Sequence, residues 1–480
     1  MRKSLFIILV FIITSSTKSF SETFNYQENG YNIIGEIKNM ADTSVILAYY
    51  FGGKQYATDT TKVVNGKLSF RGNKELKGGI YLIVLPDGKY FELIISEKNF
   101  SFITDKNNLV SSMRFIGSKE NSAFYEYLKY ISGKQKQVVP LQEKLKLAKS
   151  ENEKSNINSS IKKIDNDVRE YRKMFVRKYP NVFFSKIIKA TTDIEIPERN
   201  NKLTSSSDED YRFYYYKNNF WNNMDFSDNR MLRTPVFFNK MDQYLEKLTP
   251  KHPDSVILSS DIIVNKARSN KEVFQYVVSY ITSTYERSKI MGMDAVFVHM
   301  VEKYYMNGEC DWIEKKQLDK IIERANRISP NMIGKKPPNL VFKDPDNKYH
   351  SLYHVDAKYT LLFFYDPDCG HCKEEAPKVR DVCDSLVNRG VDIKVYAVTT
   401  EFDIDKWKEF IQKMKTNNWI NVGDIQFDNE GNPVATSNWR EEYDLHSTPV
   451  VYLLDKDKKI IAKRISEKQI AKIIKQDSKK

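Results

Sequence analysis

Hydrophobic and polar positions change rhythm along the chain, and the changes mark its organisation. From residue 24 to about 117, short apolar runs alternate with turn signals. Val63-Val64 and Lys67-Leu68-Ser69-Phe70 flank Asn65-Gly66, while the apolar runs 80–85 and 90–95 flank Asp87-Gly88. Both dipeptides favour the positive backbone angles of a tight hairpin, and both lie between β-branched or aromatic residues. The pattern predicts antiparallel strands in an all-β sandwich over residues 22–117, with no catalytic constellation in it.

After Gly117 the period becomes helical. Ile157, Ile161, Ile164, Val168, Tyr171 and Phe175 recur at alternating steps of four and three, which puts them on one stripe of a helix. Leu141, Leu145 and Ala148 begin a similar stripe just before the polar stretch 150–160. Together they predict a long antiparallel helical hairpin, its stripe serving ordinary packing, inside an all-α domain of residues 118–330. The aromatics between Tyr211 and Phe226 are expected to fill the core at the foot of that hairpin. The tandem prolines Pro337-Pro338 then stop helical patterning and favour an extended linker. Downstream, strands at 359–365, 391–399, 450–454 and 460–464 alternate with helices from about 372, at 404–414 and from 466. That order is an α/β layout over residues 331–480.

Composition narrows the class. At roughly 150 residues per domain, 480 residues give about three domains, and 41% hydrophobic residues exclude wholesale disorder. The net charge of +13 comes from Lys and Arg scattered among Asp and Glu, the pattern of a solvated surface, so nucleic acid is not an expected partner. Arg2 and Lys3 precede the apolar run 5–13, and Ser19-Phe20-Ser21 supplies small residues at the positions a signal peptidase reads. Residues 1–21 are therefore expected to be a signal peptide. The run is far shorter than the roughly twenty residues of a membrane span, so no transmembrane span is expected after cleavage. A periplasmic or otherwise exported location lets disulfides persist. Four cysteines in so long a chain make no structural disulfide framework.

The chemical candidate is Cys369-Gly370-His371-Cys372, at the end of the apolar run Phe363-Phe364-Tyr365 and the start of a predicted helix. The positive end of that helix faces the first sulfur and favours its thiolate. The second cysteine, one turn into the helix, is placed to attack a mixed disulfide on the first. Cys383, eleven residues further along the same helix, reads as a buried small hydrophobe.

Three features here resemble the thioredoxin superfamily, in particular its exported thiol:disulfide oxidoreductases related to those of cytochrome c maturation. They are the Cys369-to-Cys372 unit between strand and helix, the helical Pro377, and Ser447-Thr448-Pro449-Val450 before an apolar strand. The resemblance covers about residues 333–480 and implies a thioredoxin-like fold. It implies that Cys369 is the nucleophile and Cys372 the resolving thiol, and that Glu375 is a proton acceptor. Pro449 would be a cis-proline facing the disulfide, with Thr448, Gly370 and His371 around the substrate. Two departures stand out: Asp368 occupies the place where the family commonly has Trp, and Gly370-His371 is the pair found in protein disulfide isomerase. The order of a small β domain, a helical domain and a thioredoxin fold also resembles a group of multidomain bacterial envelope proteins.

The expected activity is disulfide exchange with envelope proteins and an unidentified redox partner, with no prosthetic cofactor and no metal. The alternative is an envelope binding or scaffold protein whose thioredoxin-like module is non-redox, or holds a metal through Cys369, Cys372, His371 and His446. If residues 1–21 are cleaved, N-terminal sequencing of the mature protein from a periplasmic fraction should begin near Glu22. Recovery of Met1 in a cytosolic fraction would remove the export argument.

Overall fold

The computed structural model describes residues 30–198, 207–427, 430, 433–434 and 437–479. The expected signal peptide, residues 1–21, lies outside them. Contacts group the chain into a first unit that runs to Asp225 and takes in Arg230–Asn239, and a second made of Phe226–Asn229 with Lys240 onward. The helical stretch 118–330 thus contributes to both.

The first unit begins with β1 (Tyr31–Lys38), β2 (Thr43–Phe51), β3 (Lys54–Val63), β4 (Lys67–Gly72), β5 (Gly79–Val84), β6 (Tyr90–Ile95), β7 (Asn99–Asp105) and β8 (Arg114–Ile116). They form two four-stranded sheets, ordered β4-β1-β7-β8 and β3-β2-β5-β6. Phe91 and Phe102 meet edge to face across them at 5.5 Å. Asp87-Gly88 closes the expected hairpin of β5 and β6. Asn65 and Gly66 also take positive φ, and Val64 and Lys67 exchange backbone hydrogen bonds at 2.9 and 3.0 Å. That turn passes the chain from one sheet to the other, because β3 pairs with β2 and β4 with β1. The strands of this sandwich pair antiparallel as expected, except that β7 returns beside β1 in parallel.

Helices α1 (Lys119–Leu147) and α2 (Glu151–Lys178) form the predicted hairpin. Ser118 and Ser150 cap them, their side chains accepting the Asn121 and Glu153 N–H groups. Tyr130 stacks on Tyr171 at 3.6 Å between the two helices, and Lys134 pairs with Asp167 at 2.6 Å. Of the α2 stripe only Phe175 is fully buried. Helices α3 (Phe183–Ala190), α4 (Asp208–Asn219) and α5 (Pro235–Asp242) follow. The aromatic segment divides. Phe220, Trp221 and Phe226 are core as expected, but α4 has no buried residue and leaves Tyr214 59% exposed. Its consecutive aromatics Phe213 to Tyr216 point all round the helix, so no single face can bury them.

The second unit contains α6 (Pro253–Ala267), α7 (Lys271–Glu286), α8 (Asp294–Met300) and α9 (Lys315–Ile328). His299, which shows no partner in the sequence, donates from Nε2 to Asp261 at 3.0 Å, and Lys303 and Tyr304 donate to the same carboxylate. The α/β part follows: β9 (Val341–Lys343), β10 (Tyr349–Ser351), β11 (Tyr359–Tyr365), α10 (Gly370–Asn388), β12 (Ile393–Thr399), α11 (Ile404–Met414), β13 (Ile420–Gly423), β14 (Gln426–Phe427), β15 (Pro433–Val434), α12 (Trp439–Glu442), β16 (Val450–Leu454), β17 (Ile460–Lys463) and α13 (Glu467–Asp477). The seven-stranded sheet runs β10-β9-β13-β12-β11-β16-β17. Central β11 is parallel to β12 and antiparallel to β16. Its odd residues Leu361, Phe363 and Tyr365 share a core with Cys372, Ala376 and Val379 of α10, and Leu362 and Phe364 share the opposite core with Trp439 and Tyr443. Among the described residues no helix is long and apolar enough to cross a membrane.

Phe364 is fully buried and contacts the rings of Trp439, Tyr443 and Tyr452. Phe364→Ala should cost about 3–5 kcal/mol, read as a lower urea midpoint by tryptophan fluorescence. An unchanged midpoint would contradict this packing.

Candidate active site

Strand β11 delivers the chain to a turn built around Asp366. The Asp366 carbonyl accepts the Cys369 N–H at 3.1 Å, and its Oδ1 accepts the Asp368 N–H at 2.8 Å. Thr400, just beyond the neighbouring strand β12, donates its hydroxyl to Asp366 Oδ2 at 3.2 Å. Short acidic side chains that bond their own backbone make such turns. The turn places Cys369 at the N-cap of α10, where φ is −71° and ψ 123°. Cys372 lies one turn in, fully buried under Phe363 and Tyr365, and its Sγ accepts the Asp366 N–H at 3.4 Å.

The loop before β16 closes the other side. Thr448–Pro449 is a cis peptide, and the Cys369 thiol donates to the Thr448 carbonyl at 3.6 Å. The loop and the cysteine turn therefore meet although 79 residues separate the two contacting positions. Cys369 is partly accessible between exposed Gly370 and His371 and half-buried Thr448. A Cβ added at Gly370 would meet nothing within 4 Å, so the space in front of the pair is open.

The two thiols are held in opposite states. Partial burial pushes the Cys369 thiol up, but the Cys372 N–H and thiol, Thr448 and the His371 N–H favour its anion and bring it below an ordinary thiol. Burial pushes Cys372 well up, because the interior penalises its thiolate more than the Asp366 N–H supports it. Cys383 is buried and pushed up to about 12 by that burial. The acidic neighbour Asp368 does not stand alone, since Lys406 Nζ lies 2.8 Å from its carboxylate.

Glu375 lies one turn beyond Cys372 on the same side of α10 and pairs with Lys378 at 2.8 Å. His446 does not join the cysteines. Its Nε2 lies 3.0 Å from Asp444 and 3.2 Å from Arg324, and among the described residues no cluster of three or more His, Cys, Asp or Glu could hold a metal. Sequence reasoning missed the groups beneath and behind the pair. Buried Tyr365 accepts the Trp407 indole N–H at 2.8 Å, and Asp366 and Thr400 shape the turn. Asp366-Pro367-Asp368 carried the turn signal for one of these; Trp407 and Thr400 are brought in only by the tertiary fold.

This strand-turn-helix with a paired thiol, facing a proline loop in a mixed sheet, defines a thioredoxin-like thiol:disulfide oxidoreductase. Residues 333–463 match the AhpC/TSA family, while 31–124 and 144–328 match two domains of unknown function, DUF4369 and DUF5106. The chain thus carries an AhpC/TSA thioredoxin-like domain at its C-terminal side, with two further domains ahead of it. The thiol-disulfide oxidoreductase ResA of Bacillus cereus is 27% identical over 138 residues, which are 28% of this chain and 70% of that protein. A domain of a possible thiol-disulfide isomerase from Cytophaga hutchinsonii is 40% identical, covering 32% of this chain and 96% of that one at a TM-score of 0.27. A thioredoxin-like protein from Bacteroides caccae is 19% identical, covering 59% of this chain and 97% of that one at a TM-score of 0.44.

The split thiols give a pH prediction. A depressed Cys369 favours the folded, reduced protein above the unfolded thiol value of about 8.5, and that contribution fades as pH falls through the lower folded value. Raised Cys372 contributes below about 8.5 and loses that contribution as pH rises toward its folded value. At mildly acidic pH iodoacetamide should label Cys369 first and leave Cys372 unmodified, as read by peptide mass spectrometry. Equal or reversed labelling would overturn the assignment.

Proposed function

We propose that the chain exchanges disulfides with protein substrates of the cell envelope through Cys369 and Cys372. The observation that carries this reading is the asymmetry of the pair: one thiol partly open with its anion stabilised, the other buried and protonated. In reduction, the Cys369 thiolate attacks a substrate disulfide, forms an S–S bond to one substrate sulfur and releases the other as thiolate. Cys372 then loses its proton and attacks Cys369 Sγ. The mixed disulfide breaks, the second substrate thiol leaves, and Cys369–Cys372 is oxidised, so two electrons have passed to the substrate. A dithiol reductant restores the pair, and oxidation of a substrate is the same sequence reversed.

Glu375 is the carboxylate one helical turn from Cys372 and takes the resolving thiol's proton in this scheme. The Thr448 carbonyl, already in contact with the Cys369 thiol, belongs to the edge along which an extended substrate segment lies, with Pro449, Gly370 and His371 completing the surface. The expected signal peptide and the exported relatives in the resembled branch support action outside the cytoplasm.

Cys369→Ala should abolish reduction of a disulfide-bonded protein, whereas Cys383→Ala should leave it at the parent rate. Cys372→Ser should accumulate mixed disulfides that thiol reductant releases, seen on non-reducing gels. A Cys369→Ala variant with parent activity would refute the proposal and favour the binding or scaffold reading.

A further inference from the structure

Asp444 opens the loop that ends at Thr448–Pro449, and its carboxylate is only 6% exposed. It has φ +53°, a left-handed conformation that Asp tolerates better than most residues but that must be held by its surroundings. A carboxylate this buried needs partners for its oxygens. Its partners come from three places. Arg324 of α9 pairs with Oδ1, Arg464 after β17 donates to Oδ2 and to the Asp444 carbonyl at 2.9 Å each, and His446 of the loop itself lies 3.0 Å from Oδ1. A second tie comes from the same helical side: Asn331, just past α9, donates its amide to the Glu442 carbonyl. Arg324 lies outside the AhpC/TSA match and inside the DUF5106 match.

We infer that Arg324 is a positioning residue, through which α9 fixes the upstream end of the substrate-facing loop and so sets how an extended disulfide substrate is held against Cys369. The inference rests on the proposed disulfide exchange for its functional consequence, but its structural core does not. Residues 445–449 are exposed or half-buried. Leu445 donates its N–H to the Arg440 carbonyl at 2.8 Å and packs on the core beside Tyr443, so residues 446–449 hang between this upstream anchor and β16. The downstream end is fixed by β16, whose Val450 pairs with Phe364 of β11. The upstream end is fixed by Asp444. Without Arg324, Asp444 keeps the half-exposed Arg464 and the exposed His446, water reaches the carboxylate, and the loop gains freedom at the end that leads to the substrate edge. Small displacements of a binding edge cost large factors in rate. Arg324 touches no group around Cys369, and Thr448, which does, sits beside the end of the loop that β16 holds, so the sulfur keeps its surroundings.

The test uses the full chain with Arg324→Ala, Arg324→Lys and Asp444→Asn. Amide hydrogen exchange should speed up about tenfold at Leu445, whose N–H donates to the Arg440 carbonyl, in Arg324→Ala, with strand β11 unchanged. KM for a disulfide-bonded peptide should rise about tenfold while kcat and the pH profile of Cys369 alkylation stay within about twofold. Arg324→Lys, which keeps the charge but loses the planar guanidinium that meets both Asp444 and His446, should fall between parent and Ala. Combining Arg324→Ala with Asp444→Asn should add little to either single change. Parent-like exchange at Leu445 in both Arg324 variants, or a loss that alters Cys369 alkylation as much as KM, would overturn the inference. A parent protein inactive on the peptide would instead sink the disulfide-exchange reading, and the exchange data would still decide whether α9 braces the loop.

Discussion

Strand β11 has no exposed side chain on either face, and that constraint fixes the Cys369 sulfur in space. A strand buried on both sides has no register freedom, because a slip of one residue would exchange two differently shaped cores. Its last residue, Tyr365, is locked by the Trp407 indole and by stacking on Phe410 at 4.7 Å. The next residue, Asp366, must then turn the chain, and three bonds from its own side chain and carbonyl define how. Cys369 reaches the start of α10 as the result of this sequence of fixed points, with the helix amides behind it.

The same burial separates the two thiols. The turn leaves Cys369 at the rim, where helix amides and Thr448 compensate its partial desolvation. Cys372, three residues later, falls on the inward side of α10 against Phe363 and Tyr365, where a thiolate is penalised. One structural decision, the direction in which α10 leaves the turn, thus yields one thiol at the rim and one in the interior. Stabilising the Cys369 thiolate also stabilises the reduced protein and makes the disulfide a stronger oxidant. Lys406 offsets the opposing charge of Asp368.

Much of the C-terminal domain was legible because its elements are long and strongly patterned. Strand 359–365, helix 404–414 and strand 450–454 fall where their apolar runs place them. Strands β9, β10 and β13 escaped, since three or four residues are too few to show a period. The turn at Asn65-Gly66 was legible as a turn but not as a crossing between sheets, because local φ preferences do not say which partner a strand will choose. The cysteine pair was readable from residue types at their spacing, and the facing loop only through the resemblance of Ser447-Thr448-Pro449-Val450 to a known family's loop. The braces around them were not: Arg324, Trp407 and Thr400 are ordinary residues in ordinary helical or strand contexts, and only the tertiary fold gives them a role.

Equilibration of the full chain with thiol–disulfide buffers, read by mass spectrometry of the Cys369–Cys372 peptide, tests the central claim most directly. A working pair should show one reversible two-electron transition, placed between thioredoxin's ~−270 mV and the isomerase's ~−180 mV and nearer the latter. It should vanish in Cys369→Ser. A pair that stays reduced across the whole buffer range, or a transition that persists in Cys369→Ser, would contradict the account.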